Sequence, residues 1–290
     1  MTARRLGLCA AIIALACAGT ADASQYLARN AHDVVIQVDA RGEALVSYTV
    51  AGRRRHVLVW GAVNAVAPSA RRKQVAFATE PIGDAKYRSE FASKFKNLCL
   101  PYDGPAIPWL VAACKANDGS YWALQAWQRQ LPDHDAHASA TQVSHELSVS
   151  HWTGDVSKLE VKIDWGFGHW ERVIGRLTYR GVSASGKGGT PSEGIIYIDT
   201  FGSAYGRGWR RAIHLRTSQQ SGVFCYGFGP LRNRGGRGVK YRVAAQGPGV
   251  TPDVQGEVSA LGPFDPLLDA KNRGLIALVR RDRTFSGCAH

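Results

Sequence analysis

The sequence predicts a mainly β protein, with antiparallel hairpins and meanders forming a sandwich- or barrel-like core and one or two short helices. Three observations predict it. Over residues 157–165, Leu159, Val161, Ile163 and Trp165 alternate with Lys158, Glu160, Lys162 and Asp164, the period of a strand with one buried face. A Gly166-Phe167-Gly168 break follows, and a β-branched and aromatic run over 173–179 completes a hairpin. Second, Asn117-Asp118-Gly119-Ser120 separates the runs 109–115 and 121–128, and Asp-Gly supplies the positive φ that a tight turn needs. Third, helical spacing is confined to two stretches.

Taken in order, the chain opens with Arg4 and Arg5, an apolar run over 6–18, and Ala21-Asp22-Ala23. This is the layout of a secretory leader, with small residues at the two positions a leader peptidase reads, so cleavage is expected after Ala23. The apolar run is too short to span a bilayer, and no later stretch approaches the roughly 20 apolar residues that a spanning helix needs. A chain without a transmembrane segment, secreted or held in the cell envelope, is therefore expected.

Strands are expected at 34–38, 44–50 and 56–60, separated by Ala40-Arg41-Gly42-Glu43 and Gly52-Arg53-Arg54-Arg55, as an antiparallel meander. Residues 70–74 (ARRKQ) read as a basic loop. Tyr87, Phe91, Phe95 and Leu98 recur at helical spacing and predict a short amphipathic helix ending near Cys99. A proline-rich connection over 101–108 leads into the Asp-Gly hairpin. The chain turns polar and small between 131 and 141, which predicts an N-terminal β-rich lobe over 24–135 and a C-terminal one over 136–290, or one continuous domain. Strands follow at 143–149 and 195–199, a hairpin of 209–217 with 222–228 around Gln219-Gln220, and a strand at 239–245. Asp265-Pro266 has the chemistry of a helix N-cap and first turn, so a helix over 266–279 is expected, weakened by Gly274.

Once Cys9 and Cys17 leave with the leader, Cys99, Cys114, Cys225 and Cys288 remain, an even set that reads as disulfides in an exported chain. The expected pairs are Cys99 with Cys114 and Cys225 with Cys288. The formal charge of +13 becomes +12 when Arg4, Arg5 and Asp22 are removed. A field of that sign draws polyanions.

Motifs of known chemistry are near misses. His145-Glu146 lacks the second histidine of a zinc-protease helix, since Val149 stands there, and Gly181 to Gly188 lacks the magnesium hydroxyl of a phosphate-binding loop. No cofactor motif is present. Asp133, His134 and His137 are the densest set of metal-ligand types. Glu146, Asp155, Glu160, Asp164 and Glu171 surround the central hairpin, where two carboxyls at about 5 to 9 Å would suit glycoside hydrolysis. Trp152, Trp170, Arg172, Arg176, Arg207, Trp209 and Arg210 combine flat rings that stack on sugars with guanidinium groups that pair with anions. Arg232, Arg234 and Arg237 resemble an arginine-glycine nucleic-acid segment, a partner that the exported context disfavours. These features together predict a binding or structural protein that engages an anionic polysaccharide or cell-wall polymer, with a secreted hydrolase using a carboxylate or metal site as the alternative.

Overall fold

The computed structural model describes residues 24–64, 77–129, 131, 144–165, 171–184, 194–218, 220–228, 236–263, 265–271 and 273–281. The protein is mostly β, and the described strands form four antiparallel sheets of four strands each. The first half supplies β1 (Gln25–Arg29), β2 (His32–Val38), β3 (Ala44–Val50), β4 (Arg53–Trp60), β5 (Ala78–Ile82), β6 (Leu110–Lys115), β7 (Tyr121–Trp127) and β8 (Glu146–Trp152). They pair in the orders β2-β3-β4-β5 and β1-β8-β7-β6. Alternation along each strand turns Val38, Val46 and Val59 of one sheet toward Trp122, Leu124 and Val149 of the other, a shared and fully enclosed core.

The second half repeats this layering. β9 (Lys158–Trp165), β10 (Glu171–Tyr179), β11 (Val182–Ser183) and β14 (Val223–Phe228) make one sheet around β10. β12 (Ile195–Ser203), β13 (Gly206–Arg216), β15 (Lys240–Ala245) and β16 (Val254–Ser259) make the other, in the order β13-β12-β15-β16. Val173, Leu177 and Phe224 face Ile198, Tyr241 and Val243 between them. Three short helical elements complete the description: α1 (Asp84–Lys86), which runs into a π turn at Tyr87–Phe91, then α2 (Pro266–Lys271) and α3 (Arg273–Arg281). α3 lays Leu275 and Leu278 on Ile174, Val223 and Cys225, covering the outer face of the β10 sheet.

The central hairpin forms, with Leu177 opposite Leu159 and Glu171 opposite Trp165, but Asp164, which the alternation places on the exposed face, is fully buried against Arg172. The Asp-Gly hairpin forms too, as β6 and β7. Cys99 and Cys114 are bonded, with Cα atoms 5.4 Å apart, which ties the segment after the π turn to β6. Cys225 is disulfide-bonded as well; its expected partner, Cys288, lies outside the described residues.

Other expectations are corrected. No helix runs from Tyr87 to Leu98: the π turn ends at Phe91, and Leu98 donates its N–H to Val38 O, drawing the chain back to β2. The strands on either side of Gln219-Gln220 are not partners, because β13 pairs with β12 while β14 pairs with β10, and the chain changes sheet at that turn. β8 pairs with β1 and β7, and the next strand, β9, pairs with β10. β1, β5 and β16 were not expected. All three are edge strands, and β5 carries Pro81 while β16 has Gly256 on its inward face, which blunts the hydrophobic pattern.

Candidate functional site

The turn between β3 and β4 is made by Ala51 and Gly52 at φ 48° and 73°, the two positive values of a type I′ hairpin turn. β4 therefore begins at once with Arg53, Arg54 and Arg55, and strand alternation sends these side chains to both faces of the hairpin end. His56 follows, paired with Ser47 on β3 and Ile82 on β5. From Ile82 the chain turns through Gly83 into α1, and the wide π turn lays Tyr87 over His56. Their ring centroids are 3.4 Å apart and their planes 8° from parallel. π turns are rare and concentrate at functional sites.

These elements line an open cavity of about 630 Å³, bordered by Arg53, Arg54, Arg55, His56, Asp84, Tyr87 and Arg88. Its lining carries four arginines and one carboxylate. Arg54 donates to Asp33 O. Arg53, Arg55 and Arg88 are exposed, and their guanidinium groups have no hydrogen bond or ion pair among the described residues. His56 Nδ1 lies 2.7 Å from Ser47 Oγ. Burial first, and Arg54 second, push the His56 imidazole below its ordinary pKa, while Asp84 pulls it the other way. The cavity therefore sets a neutral histidine among fixed positive charges, an environment that accepts an anion.

A second cavity of about 510 Å³ lies beside the central hairpin, lined by Asp155, Lys158, Glu160, Arg176, Thr178 and Arg180 among others. Its charges are mixed and partly engaged. Lys162 pairs with Glu160 at 3.1 Å, and Arg176 Nε donates to Ser221 O at 3.0 Å. Arg180 donates to Asn64 Oδ1 and to Thr153 O, which joins the two sheet pairs at this point.

The aromatic and arginine set expected from sequence is dispersed. Trp152 is fully buried against Ile107 and Ala123, so it serves the core and offers no ring to a ligand. Arg172 is buried in a bidentate pair with Asp164, at 2.9 and 2.7 Å, and is likewise corrected from ligand contact to structure. Arg176 lines the second cavity. Arg207, Trp209 and Arg210 do stand together on β13, but the Arg242 guanidinium lies 4.5 Å from the Trp209 ring centre, held there by Asp199. Trp170, Asp133, His134, His137, Arg232 and Arg234 lie outside the described residues. Arg237 pairs with Glu171, a buried carboxylate that also accepts from the Tyr241 hydroxyl and Leu261 N–H.

One Ser, His and Asp constellation is present, and its order is wrong for hydrolysis. Ser120 Oγ donates to Asp118 Oδ1 at 2.6 Å and lies 2.9 Å from His151 Nε2, while His151 Nδ1 lies 3.3 Å from Gly61 O. The carboxylate sits on the serine instead of orienting the imidazole, and the hydroxyl is buried. No group of three or more metal-ligating side chains occurs among the described residues.

Sequence reasoning missed the arginine cavity because Arg53 to Arg55 read as a turn between strands and Tyr87 as one face of a helix. The available signal was three adjacent cations directly after a tight turn. Comparison with protein-family models, with curated proteins and with solved structures returned no match.

Proposed function

We propose that the protein works outside the cytoplasm and binds an anionic glycan or wall polymer at the arginine cavity on β4. The observation that carries this reading is the set Arg53, Arg55 and Arg88, three exposed guanidinium groups without partners among the described residues, around a cavity with one carboxylate. Guanidinium groups pair bidentately with sulfate, phosphate and carboxylate, and their weak hydration makes the exchange with water favourable. A cavity of about 630 Å³ takes one or two units of such a polymer. The leader-like start, the disulfides and the charge of +13 on the full chain support the location and the sign of the ligand. No helix among the described residues is long and apolar enough to cross a membrane.

The test is retention of the purified, oxidised protein on isolated cell-wall material and on its anionic polymer, at about 50 and 500 mM salt. Arg53→Gln, Arg55→Gln and Arg88→Gln should each weaken binding by about ten-fold, the value of one charge-assisted hydrogen bond, without lowering Tm. A triple variant that is retained like the parent would overturn the proposal. A second reading, glycan hydrolysis, is supported by Asp155 and Glu160 lining one cavity. It predicts release of reducing ends from the polymer, lost in Asp155→Asn or Glu160→Gln.

A further inference from the structure

Ser24, the residue after the expected cleavage position, is not at the surface. It is fully buried where the two sheet pairs meet, beside Asp253 of the loop that precedes β16. Its hydroxyl donates to Asp253 Oδ1 at 2.9 Å and accepts from Arg129 Nη2 at 2.6 Å. Asp253, also fully buried, accepts further from Gly247 N–H at 3.1 Å, from Trp127 Nε1–H at 2.7 Å and from Arg129. Gln125 closes the arrangement by bonding both the N–H and the C=O of Asp253. Residues from β7, from the loop before β16 and from the start of β1 thus converge on one carboxylate.

We propose that the Ala23–Ser24 bond is a processing site and that the α-amino group it releases seats in this junction as an ammonium against Asp253. Hydrolysis by a leader peptidase adds one water, leaves the new carboxylate on Ala23, and leaves on Ser24 an amine that takes up a proton. The ammonium replaces the Ser24 hydroxyl as donor to Oδ1, and the hydroxyl keeps its bond from Arg129. Three observations point the same way. Ala21 and Ala23 are the small residues a leader peptidase requires. Ser24 has φ 24°, a value that L residues rarely adopt, and a chain that begins at Ser24 has no such torsion. Asp253 is held by Gly247 N–H, Trp127 Nε1–H, Arg129 and the Gln125 amide, so Oδ1 is a fixed acceptor for the ammonium. A buried ammonium is tolerated only when paired and hydrogen-bonded, and Asp253 offers both. The proposal is independent of the ligand at the arginine cavity.

The test uses the full chain, exported and purified. Its intact mass should correspond to a chain starting at Ser24. Periodate oxidises an amino-terminal serine at its adjacent amine and hydroxyl. The sole methionine, Met1, leaves with the leader, so no other methionine consumes reagent. The native protein should resist periodate about 100-fold more than the same protein in urea, because reaction requires local opening. Inserting one glycine between Ala23 and Ser24 displaces the amine and should lower Tm by about 5 °C or more. A mature chain that starts elsewhere, or a Ser24 oxidised as fast in the native as in the unfolded protein, would overturn the proposal whether or not the insertion variant folds.

Discussion

His151 lies flat on Trp122, with ring centroids 3.8 Å apart and planes 13° from parallel, and its Nε2 lies 2.9 Å from Ser120 Oγ. Burial pushes its pKa down to about 4 from an ordinary 6.5, against a smaller opposing pull from Asp118. The folded protein therefore holds this imidazole neutral. Its contribution to stability is complete above pH 6.5 and is lost as pH falls toward 4, a change of about 3 kcal/mol. Urea midpoints measured from pH 7.5 to 4 should fall across that window. The slope should flatten in His151→Asn, and a midpoint constant in the parent down to pH 4.5 would count against the argument.

Asp199 holds two cations, Arg211 at 2.7 Å and Arg242 at 2.8 Å, and Arg211 reaches on to Gln128 O and Arg129 O across the junction of the sheet pairs. Asp199 and Arg211 are both about 1% exposed. Asp199→Asn leaves two guanidinium groups without their counter-charge, one of them buried, and should cost about 3 to 5 kcal/mol in chemical unfolding. Asp155→Asn, on an exposed residue, should change it by less than about 0.5 kcal/mol.

Gly175 sits mid-strand in β10, where its neighbours leave no room for a side chain. A Cβ there would stand 2.2 Å from Phe224 Cζ and 2.3 Å from Glu160 O. The ring can turn, but the carbonyl belongs to the paired β9 strand. Gly175→Ala should cost about 3 kcal/mol, with the loss visible in the unfolding rate and in near-ultraviolet dichroism of the aromatic core.

At the arginine cavity the pH dependence has the opposite outcome. Burial and then Arg54 oppose protonation of His56 and Asp84 favours it; Arg53, Arg55 and Arg88 line the same cavity, and Ser47 and Tyr87 pack against the ring. A bound anion reverses that balance and raises its pKa. Binding should therefore tighten between pH 7.5 and 5, by about ten-fold for each unit that the pKa rises. Retention on the anionic polymer at the two pH values measures it, and His56→Asn should remove the difference.

Much of the fold was legible because its strands alternate. Leu159, Val161 and Ile163 announced β9, and Asp118-Gly119 announced the β6–β7 turn, each from fewer than ten residues. What failed was information that sequence spacing does not carry. Nothing local distinguishes a turn that pairs its flanking strands from one that carries the chain between sheets, as at Gln220. Tyr87 and Phe91 have helical spacing, yet Tyr87 stacks on His56 of β4, a contact distant in sequence that spacing does not reveal. The site was less legible still. Trp152 and Arg172 have the residue types of a ligand surface, and only burial and the position of Asp164 reveal that they are structural.

β1 pairs with β8, so that Gln25 lies opposite Val149. A ribosome delivers β1 among the earliest of the described segments and β8 only after the six strands that lie between them in the chain. Through that interval the first strand has no partner, and the loop that must close to give it one contains most of the first sheet pair. Closing so large a loop is slow, which makes completion of this sheet a late step. The segment most exposed to mispairing is thus the one nearest the amino terminus, and a chaperone that holds the emerging chain would be of most use there.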